Sequence, residues 1–451
     1  MVLAAAALSM FIVNLDFFAL NLSLPAMADE LNVSATEMQW VISGYMLSLA
    51  AFLIPGGRLG DILGRRRMLI VGIAIFGGAS AVCGAAPSAE LLIAFRIVQG
   101  IGAAILFPLC IAAVTNAFPE RRRKRAIGNL YGLAAVATAV GPFFGGFVTD
   151  ALGWRWVLLL NVPIAAGALF LATVGVRESR DESVPRQIDV RGLVAVVAGI
   201  AVVTYAVDRA ADWGLVSPDT LGLLAAGLVL LVAFVAIERQ VRWPLIDLSL
   251  FRNRPYVIVT LSGMVANISF VVATFGSTLY LQQVEGYSAA ESGLIFLAAS
   301  VAVAVAGPLS GRLGERFDIP RLMAAGIVLG ALGLAVVGSG APLGLYLAAL
   351  PVFGFGYGLG WSLSSVGTQT VVSTERAGAA SGVTLAIVIG AGGLCVALAA
   401  TLIQSLAAGG TGEGAAIENL LRVLAAWSAA CGIGFAALSL RRPPNAASQS
   451  A

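Results

Sequence analysis

Long apolar segments separated by short polar turns run along almost the whole chain. Apolar runs of about 20 residues are long enough to cross the hydrocarbon core of a bilayer as α-helices. A membrane β-barrel would instead show short segments of alternating polarity. We therefore predict an all-α polytopic membrane protein with fourteen transmembrane helices, at residues 2–27, 38–56, 67–86, 90–116, 126–148, 154–175, 189–207, 219–238, 256–284, 289–311, 320–339, 343–368, 377–407 and 416–440.

The basic residues are divided unequally between the two sides that these spans define. Of the 27 Lys and Arg residues, all but four fall on one side, and the cluster from Arg121 to Arg125 is the densest. Arg155, Arg209 and Arg422 fall on the other side, and Arg96 lies within a span. Because cytoplasmic loops of membrane proteins carry the excess of Lys and Arg, we predict that both termini are cytoplasmic.

The composition agrees with a membrane protein and argues against other classes. Hydrophobic residues make up 59% of the chain and charged residues 11%, whereas soluble proteins carry roughly 25% charged residues. The basic residues form short clusters between spans, so we predict no nucleic-acid binding. The chain has no histidine, and its four cysteines lack metal-ligand spacing. Without a nucleophile–base pair or a ligand cluster, we predict no metal, no cofactor and no enzymatic activity.

The first apolar segment has no basic region before it and no small-residue cleavage site after it. We therefore predict a retained membrane span rather than a signal peptide that is removed. The chain begins almost directly in this span, which indicates a trimmed N-terminus.

Two loops of similar sequence indicate an internal repeat. GRLGDILGRRR joins the second and third spans, and GPLSGRLGERFDIPR joins the tenth and eleventh. Both place a glycine, a leucine, a second glycine and an acid directly after a membrane exit. Such a recurrence predicts two related six-helix halves. We assign an N-terminal bundle to 1–176, a linker with two inserted helices to 177–250, a C-terminal bundle to 251–442 and a cytoplasmic tail to 443–451.

The loop between the second and third spans has chemistry suited to a latch. Its glycines allow two helices to approach closely at a tight turn. Asp61 can pair with cations or with a helix N-terminus of the facing bundle and so hold one conformation. The loop resembles the signature of the major facilitator superfamily, and the simpler alternative is a basic turn that only sets orientation. The residues predicted to form the latch are Gly57, Gly60, Asp61, Gly64, Arg65 and Arg66.

The fourth span, LIAFRIVQGIGAA, resembles a second motif of the same family. Gln99 and Gly100 follow Arg96 by three and four residues, so all three share one helix face. A guanidinium on that face needs a buried partner or a wet cavity. Arg96 is thus either functional or a structural arginine that pairs with a neighbouring polar group.

The fifth span resembles a third motif, which the family associates with antiporters. Small residues on one face permit close helix packing, and proline bends the helix, so this helix can act as a hinge or a seal between the halves. Ordinary small-residue packing is the alternative interpretation. The matching residues are Gly128, Gly141, Pro142, Gly145 and Gly146.

The first span, NLDFFALNLSLP, resembles a motif typical of fourteen-span drug/proton antiporters. Asp16 is the carboxylate nearest the middle of the membrane, and Asn14 and Asn21 lie on another face, so the helix borders a cavity rather than lipid. Burial opposes the charged form of Asp16, whereas Arg96 would favour it. We predict that Asp16 and Arg96 couple transport to protons; the alternative is a permanently ionised pair that only holds helices together.

Aromatic and polar side chains around a central cavity can bind lipophilic and cationic compounds through contact area and cation–π attraction. In the twelfth span, Phe353, Tyr357 and Trp361 form a stripe with helical spacing, for which plain packing is an equal alternative. The candidate cavity residues are Asn14, Phe17, Asn21, Tyr45, Gln99, Tyr357 and Trp361.

The resemblance as a whole implies a major facilitator fold of the drug/proton antiporter type, with two six-helix bundles that rock about a central cavity and two inserted helices. The implied function is export of small amphipathic or lipophilic, often cationic, compounds in exchange for protons, by a monomer in the lipid bilayer of the cell membrane. Two alternatives stay open: an exporter of lipids or endogenous metabolites with weak or no proton coupling, and a non-transporting membrane sensor.

Overall fold

The computed structural model describes most of the chain, namely residues 1–179, 189–214, 216–242, 244–314, 316–372, 377–408, 410 and 412–440. Within these ranges the secondary structure is helical and includes no strand. Residues 180–188 of the predicted linker and the whole predicted tail (443–451) lie outside the described residues.

The first half of the chain consists of helices joined by short turns. A 3₁₀ turn at Leu20–Ser23 joins the first two helices into one membrane span of 30 residues. Its α-helices are α1 (Val2–Ala19), α2 (Leu24–Leu31), α3 (Ala35–Met38), α4 (Trp40–Leu63), α5 (Arg65–Gly84), α6 (Ala89–Ala117), α7 (Glu120–Leu152), α8 (Trp154–Leu159) and α9 (Asn161–Gly175).

The remaining helices follow the linker. A 3₁₀ turn at Leu248–Arg252 precedes α12, and a π-helical turn at Tyr280–Val284 extends it. The α-helices are α10 (Val190–Trp213), α11 (Pro218–Gln240), α12 (Arg254–Leu279), α13 (Ala289–Gly314), α14 (Ile319–Val337), α15 (Leu343–Val371), α16 (Ala377–Ala408) and α17 (Glu413–Leu440).

The helices correspond closely to the predicted spans. Thirteen segments of the described chain are long and apolar enough to cross a membrane. They correspond to thirteen of the fourteen predicted spans, and the other one, 126–148, lies within α7, a helix of 33 residues. The prediction of an all-α polytopic membrane protein is therefore confirmed, with a helix count consistent with fourteen spans.

The helices pack into two bundles and an inserted pair, as predicted. In the N-terminal bundle, α6 packs against α4 and α5, and α1 packs against α7 and α9. In the C-terminal bundle, α15 packs against α13 and α14, while α12 packs against α15, α16 and α17. The bundles meet where α7 packs on α13 and α4 packs on α16. The inserted helices α10 and α11 pack on each other, and α10 also contacts α16 and α4.

Two glycines mark opposite ends of the bundles. Gly64 turns α4 into α5 with φ of 114°, and Gly153 turns α7 into α8 with φ of 92°. These are backbone conformations that residues with a Cβ rarely adopt. We call the two faces of the molecule the Gly64 end and the Gly153 end.

Candidate functional site

Asp16 and Arg96 form an ion pair inside the N-terminal bundle. Arg96 Nη1 donates a hydrogen bond to Asp16 Oδ2 at 2.5 Å. Each residue is only 1% exposed. Asp16 lies near the middle of its span, whereas Arg96 lies in the second turn of α6, closer to the Gly153 end. The sequence leaves open whether the two side chains touch, and the structure brings them into direct contact.

The other oxygen of the carboxylate accepts two amide hydrogen bonds. Asp16 Oδ1 accepts from Gln99 Nε2 at 3.1 Å and from Asn161 Nδ2 at 2.8 Å. Ser80 Oγ also accepts from both amide nitrogens, at 3.2 and 3.1 Å, and donates to the Leu158 carbonyl at 2.8 Å. All of these polar groups are buried. We refer to the following five residues as the Asp16 cluster: Asp16, Ser80, Arg96, Gln99 and Asn161.

Arg96 has further partners that do not depend on Asp16. Its Nε donates to the Val41 carbonyl at 2.9 Å, and its Nη1 also donates to Gln99 Oε1 at 2.7 Å. The guanidinium carbon lies 4.3 Å from the centre of the Tyr45 ring, in cation–π geometry. A Cβ at Gly100 would lie 2.5 Å from the Tyr45 carbonyl oxygen, so this glycine allows α6 to approach α4 closely.

Two members of the cluster, Ser80 and Asn161, were missed from the sequence. Asn161 begins α9 directly after the break from α8, and Pro163 contributes to that break because it has no backbone N–H to donate. The sequence could have indicated Asn161, because it is an amide within the apolar run VLLLNVPIAAG. Ser80 gave none, since a small hydroxyl among glycine and alanine looks like ordinary helix packing.

In the predicted latch, Asp61 pairs with a neighbour in its own loop. Arg65 donates to Asp61 Oδ1 through Nε at 2.9 Å and Nη2 at 2.7 Å. Gly60 packs against the Leu109 side chain, and Gly57 against Pro108, so the turn lies closely against α6. A helix N-terminus of the facing bundle would be that of α16, and residues 373–376 before it lie outside the described residues. The latch role therefore stays a prediction.

Glu178 is a further residue of this turn that the sequence did not reveal. Its carboxylate accepts hydrogen bonds from the backbone N–H groups of Arg66 and Arg67, at 3.1 and 3.2 Å. It thereby satisfies the free donors at the N-terminus of α5. A Cβ at Gly64 would lie 2.6 Å from Glu178 Oε1. Both this close contact and the positive φ therefore favour glycine at this position. Arg66 also donates through Nη2 to the Thr173 carbonyl at 2.5 Å.

The predicted antiporter motif lies where α7 contacts both α1 and the facing bundle. A Cβ at Gly145 would overlap the backbone of Ala19, and one at Gly146 would overlap the carbonyl of Ala289. Gly141 packs on Phe18 in the same way. The helix continues through Pro142 without a break. Gly128 lies in the same helix, but its surroundings are outside the described part.

The candidate cavity residues separate into three groups. Tyr45 and Gln99 lie at the Asp16 cluster. Asn14 and Asn21 donate to carbonyls one turn earlier in the first span, at 2.8 and 3.4 Å. The third group, Phe17, Tyr357 and Trp361, is aromatic; Phe17 and Trp361 are half-buried.

A row of aromatic rings crosses from one bundle to the other. Phe17 packs edge-on against Phe18 at 4.9 Å between centroids, and Phe18 lies 6.4 Å from Phe270 of α12. Phe270 stacks on Phe353 at 5.4 Å, and Phe353 meets Tyr357 at 5.5 Å. Tyr357 is 1% exposed and shares a hydrogen bond with the Ser428 hydroxyl at 2.7 Å, which places it inside the C-terminal bundle.

The chain folds into two helical bundles that contact each other through glycines, and the N-terminal bundle contains a buried ion pair. These features together define a polytopic membrane transporter. The sequence profile of the Major Facilitator Superfamily matches residues 6–397, and the chain belongs to that superfamily.

Several relatives share about a third of their residues with this chain. It is 34% identical over 388 residues to the multidrug resistance protein Stp of Mycobacterium tuberculosis, a match that covers 84% of this chain and 71% of the relative. It is 31% identical over 410 residues to the tetracenomycin C resistance and export protein of Streptomyces glaucescens, covering 89% and 76%. It is 36% identical over 410 residues to the cephamycin export protein CmcT of Amycolatopsis lactamdurans, covering 88% and 84%.

Solved structures with the same fold are much more distant in sequence. A POT family transporter in complex with 5-aminolevulinic acid superimposes with a TM-score of 0.71 at 15% identity, over 97% of this chain and 96% of that one. A bacterial homologue of the human lysosomal transporter Spinster, in an inward-facing and unoccupied conformation, gives 0.66 at 17% identity, over 98% of both chains. At these identities the likeness shows the fold alone.

Proposed function

We propose that this transporter exports small amphipathic or lipophilic compounds, often cationic, in exchange for protons by alternating access. The observation that carries the proposal is the buried pair of Asp16 and Arg96. The names of the relatives, which refer to multidrug resistance and to export of tetracenomycin C and cephamycin, support outward transport of small molecules.

Asp16 has the position and the partners of a proton-binding acid. Among the described residues, it is the acidic side chain in the middle of a membrane span, since the others lie toward helix ends. An ionised carboxylate at such a site is costly unless it is paired and hydrogen-bonded. Protonation removes the charge of Asp16, and Arg96 then keeps Val41, Gln99 and the Tyr45 ring as partners. The site therefore supports two charge states of the acid.

The contacts between the bundles support a rocking mechanism. At the Gly153 end, Gln282 donates to the Leu22 carbonyl at 3.0 Å, and Gly146 lies against Ala289. These contacts hold the Gly153 end together, so a substrate could leave on that side only after α7 and α13 separate. The distribution of basic residues supports an extracellular Gly153 end and cytoplasmic termini. We further propose a monomer in the cell membrane.

An exchange assay tests this proposal directly. The purified chain is reconstituted into liposomes with an imposed pH gradient and a trapped pH-sensitive dye, and ethidium is used as the transported cation. Ethidium should dissipate the gradient in liposomes with the transporter and leave it intact in empty ones. A gradient that is unaffected by ethidium and by chemically different dyes would count against proton exchange.

The second candidate is an exporter of lipids or endogenous metabolites without proton coupling. The observation that favours it is the completeness of the Asp16 cluster, because a carboxylate with a cation and two amide donors is well suited to stay ionised. In that case, ethidium or a lipid substrate would move down its own gradient with no change in internal pH.

A further inference from the structure

Proton exchange at Asp16 places a demand on its surroundings that an ion pair alone does not meet. An ionised carboxylate only accepts hydrogen bonds, whereas a protonated carboxyl also donates one. In a buried site, a donor without an acceptor is strongly unfavourable, because it has lost its hydrogen bond to water and gained none in return. A site that takes up and releases a proton therefore needs an acceptor that becomes available when the proton arrives.

Most neighbours of Asp16 cannot supply that acceptor. Arg96 has donors only. Gln99 is fixed with its nitrogen toward Asp16, because its oxygen accepts from Arg96 at 2.7 Å. The Ser80 hydroxyl hydrogen-bonds to the two amides rather than to the carboxylate, and its oxygen already accepts from both of them. Among the side chains that hydrogen-bond to Asp16, this leaves Asn161, whose hydrogen bonds to the cluster are both donated by Nδ2.

We propose that Asn161 is a positioning residue that adapts to the proton on Asp16. Its amide nitrogen donates to the ionised carboxylate; after the amide rotates by half a turn, its oxygen accepts the hydrogen bond of the protonated carboxyl. The Ser80 hydroxyl can follow, because it can turn its proton from Leu158 to the new amide oxygen. The inference rests on the proposed role of Asp16 as the proton site.

The position of Asn161 suits this role. Asn161 is the first residue of α9, at the break from α8, so the start of this helix fixes the position of its backbone. The residue is 1% exposed. Rotation of the amide breaks neither the Arg96–Gln99 hydrogen bond nor the bond from Arg96 to Val41. Both protonation states of Asp16 then keep hydrogen-bonded partners while the helices stay in place.

Few other titratable groups act on this site. Within the described part of the chain, the structure shows charge interactions of Asp16 with Arg96 of α6, Tyr45 of α4 and Cys83 of α5. The neighbouring helix α9 has no titratable side chain, and in α7 the acidic and basic residues lie in its first two turns and at Asp150. A spectral change that follows protonation of Asp16 can therefore be distinguished from the titration of other groups.

Infrared difference spectroscopy tests the rotation without transport. Protein containing asparagine with a ¹³C-labelled side-chain carbonyl is titrated in detergent. A protonated carboxylic acid band that is missing in Asp16→Asn identifies the Asp16 proton. We expect an asparagine carbonyl band to shift with the same midpoint, because its oxygen gains a hydrogen bond, and expect this shift to be absent in Asp16→Asn and in Asn161→Leu.

Transport provides the second measurement. Asn161→Leu has a similar volume but can neither donate nor accept, so its maximal rate of ethidium–proton exchange should fall about tenfold, as one lost buried hydrogen bond predicts. The KM for ethidium should be unchanged, since Asn161 is away from the contact between bundles. Asn161→Gln, which keeps a rotatable amide, should recover much of the rate. Asn267→Leu is the matched control, because Asn267 is a buried amide of the other bundle that donates to the Val388 carbonyl at 2.8 Å.

The outcomes separate the two proposals. If the Asp16 band titrates but the asparagine band does not move, Asn161 is a fixed donor and the inference is wrong, while the proton site stands. If no Asp16 band appears at any pH, the pair is permanently ionised, and the proposed proton coupling fails together with the inference. A wild-type rate in Asn161→Leu would also overturn the inference.

Discussion

Asp150, in the last turn of α7, accepts a hydrogen bond from the backbone N–H of Ala290, in the first turn of α13, at 2.8 Å. One bundle thereby caps a helix of the other at the Gly153 end. An acid at a helix N-terminus is favourable because it meets free N–H donors and the positive end of the helix dipole. The contact closes this end by a bond that involves no second charged side chain.

Removal of this cap should favour opening of the Gly153 end. Asp150→Ala loses about 1 kcal/mol of capping energy, so the open population should rise about fivefold. Asp150→Asn is the matched control, because an asparagine oxygen can still accept the bond. Distances between spin labels at Leu152→Cys and Leu294→Cys, with native cysteines replaced, measure the change. Equal distance distributions in Asp150→Ala and wild type would show that the cap is irrelevant to closure.

Asp16→Asn should abolish proton-driven export while the protein is still produced and folded. The amide is nearly isosteric and can accept from Arg96 but cannot carry the proton. We expect ethidium to equilibrate down its own gradient without any change of internal pH. Binding of ethidium to the purified variant controls for the fold. Normal accumulation against a gradient in this variant would make Asp16 a structural acid.

Arg96→Met should destabilise the protein more than Asp16→Asn. The arginine variant leaves the Asp16 carboxylate buried without its cation, a change that costs about 3–5 kcal/mol in comparable pairs. Asp16→Asn leaves Arg96 with its bonds to Val41 and Gln99. The double variant should lose less stability than the sum of the two single ones. Thermal unfolding in detergent measures all three; additive losses would mean that the two side chains do not interact.

Gly146→Ala should impair transport, although the substitution adds only one carbon atom. The new Cβ would overlap the Ala289 carbonyl, a backbone atom that cannot rotate away, so α7 and α13 are forced apart. Overpacking of about 1–3 kcal/mol corresponds to roughly a tenfold loss of export rate. Gly167→Ala in α9 is the control, since a Cβ there meets nothing within 4 Å. Equal export rates in both variants would refute the packing argument.

The helices were predictable from the sequence because the bilayer imposes a minimum apolar length. The predicted span 377–407, for example, compares with α16 at Ala377–Ala408. What the apolar pattern could not show is the interruption of a span by local backbone geometry. The predicted span 154–175 is two helices separated at Leu160, and the first span contains a 3₁₀ turn directly after α1. Neither feature changes the hydrophobicity that was used to find the spans.

The site was predictable only in part. Asp16 and Arg96 were selected because charge in a membrane is costly, but their contact depends on the relative depth and rotation of two helices. Tyr45 and Gln99 contact Arg96 within one bundle, an arrangement that the sequence did not reveal, and their predicted place in a substrate cavity stays a prediction. Asn161 lies 145 residues after Asp16 along the chain, so no local spacing links the two. Which distant residues meet at Asp16 depends on how the helices pack, and the local sequence does not show this.

The shared location of Asp16 and Arg96 has a consequence for membrane voltage. Both belong to the N-terminal bundle, so any rocking of that bundle carries them together. With Asp16 ionised, the pair is neutral and an electric field does no net work on it. With Asp16 protonated, Arg96 moves as one positive charge, on which a potential acts with about 2.3 kcal/mol per 100 mV for a full crossing of the membrane. If Asp16 takes up a proton as proposed, a negative cell interior pulls selectively on the protonated form.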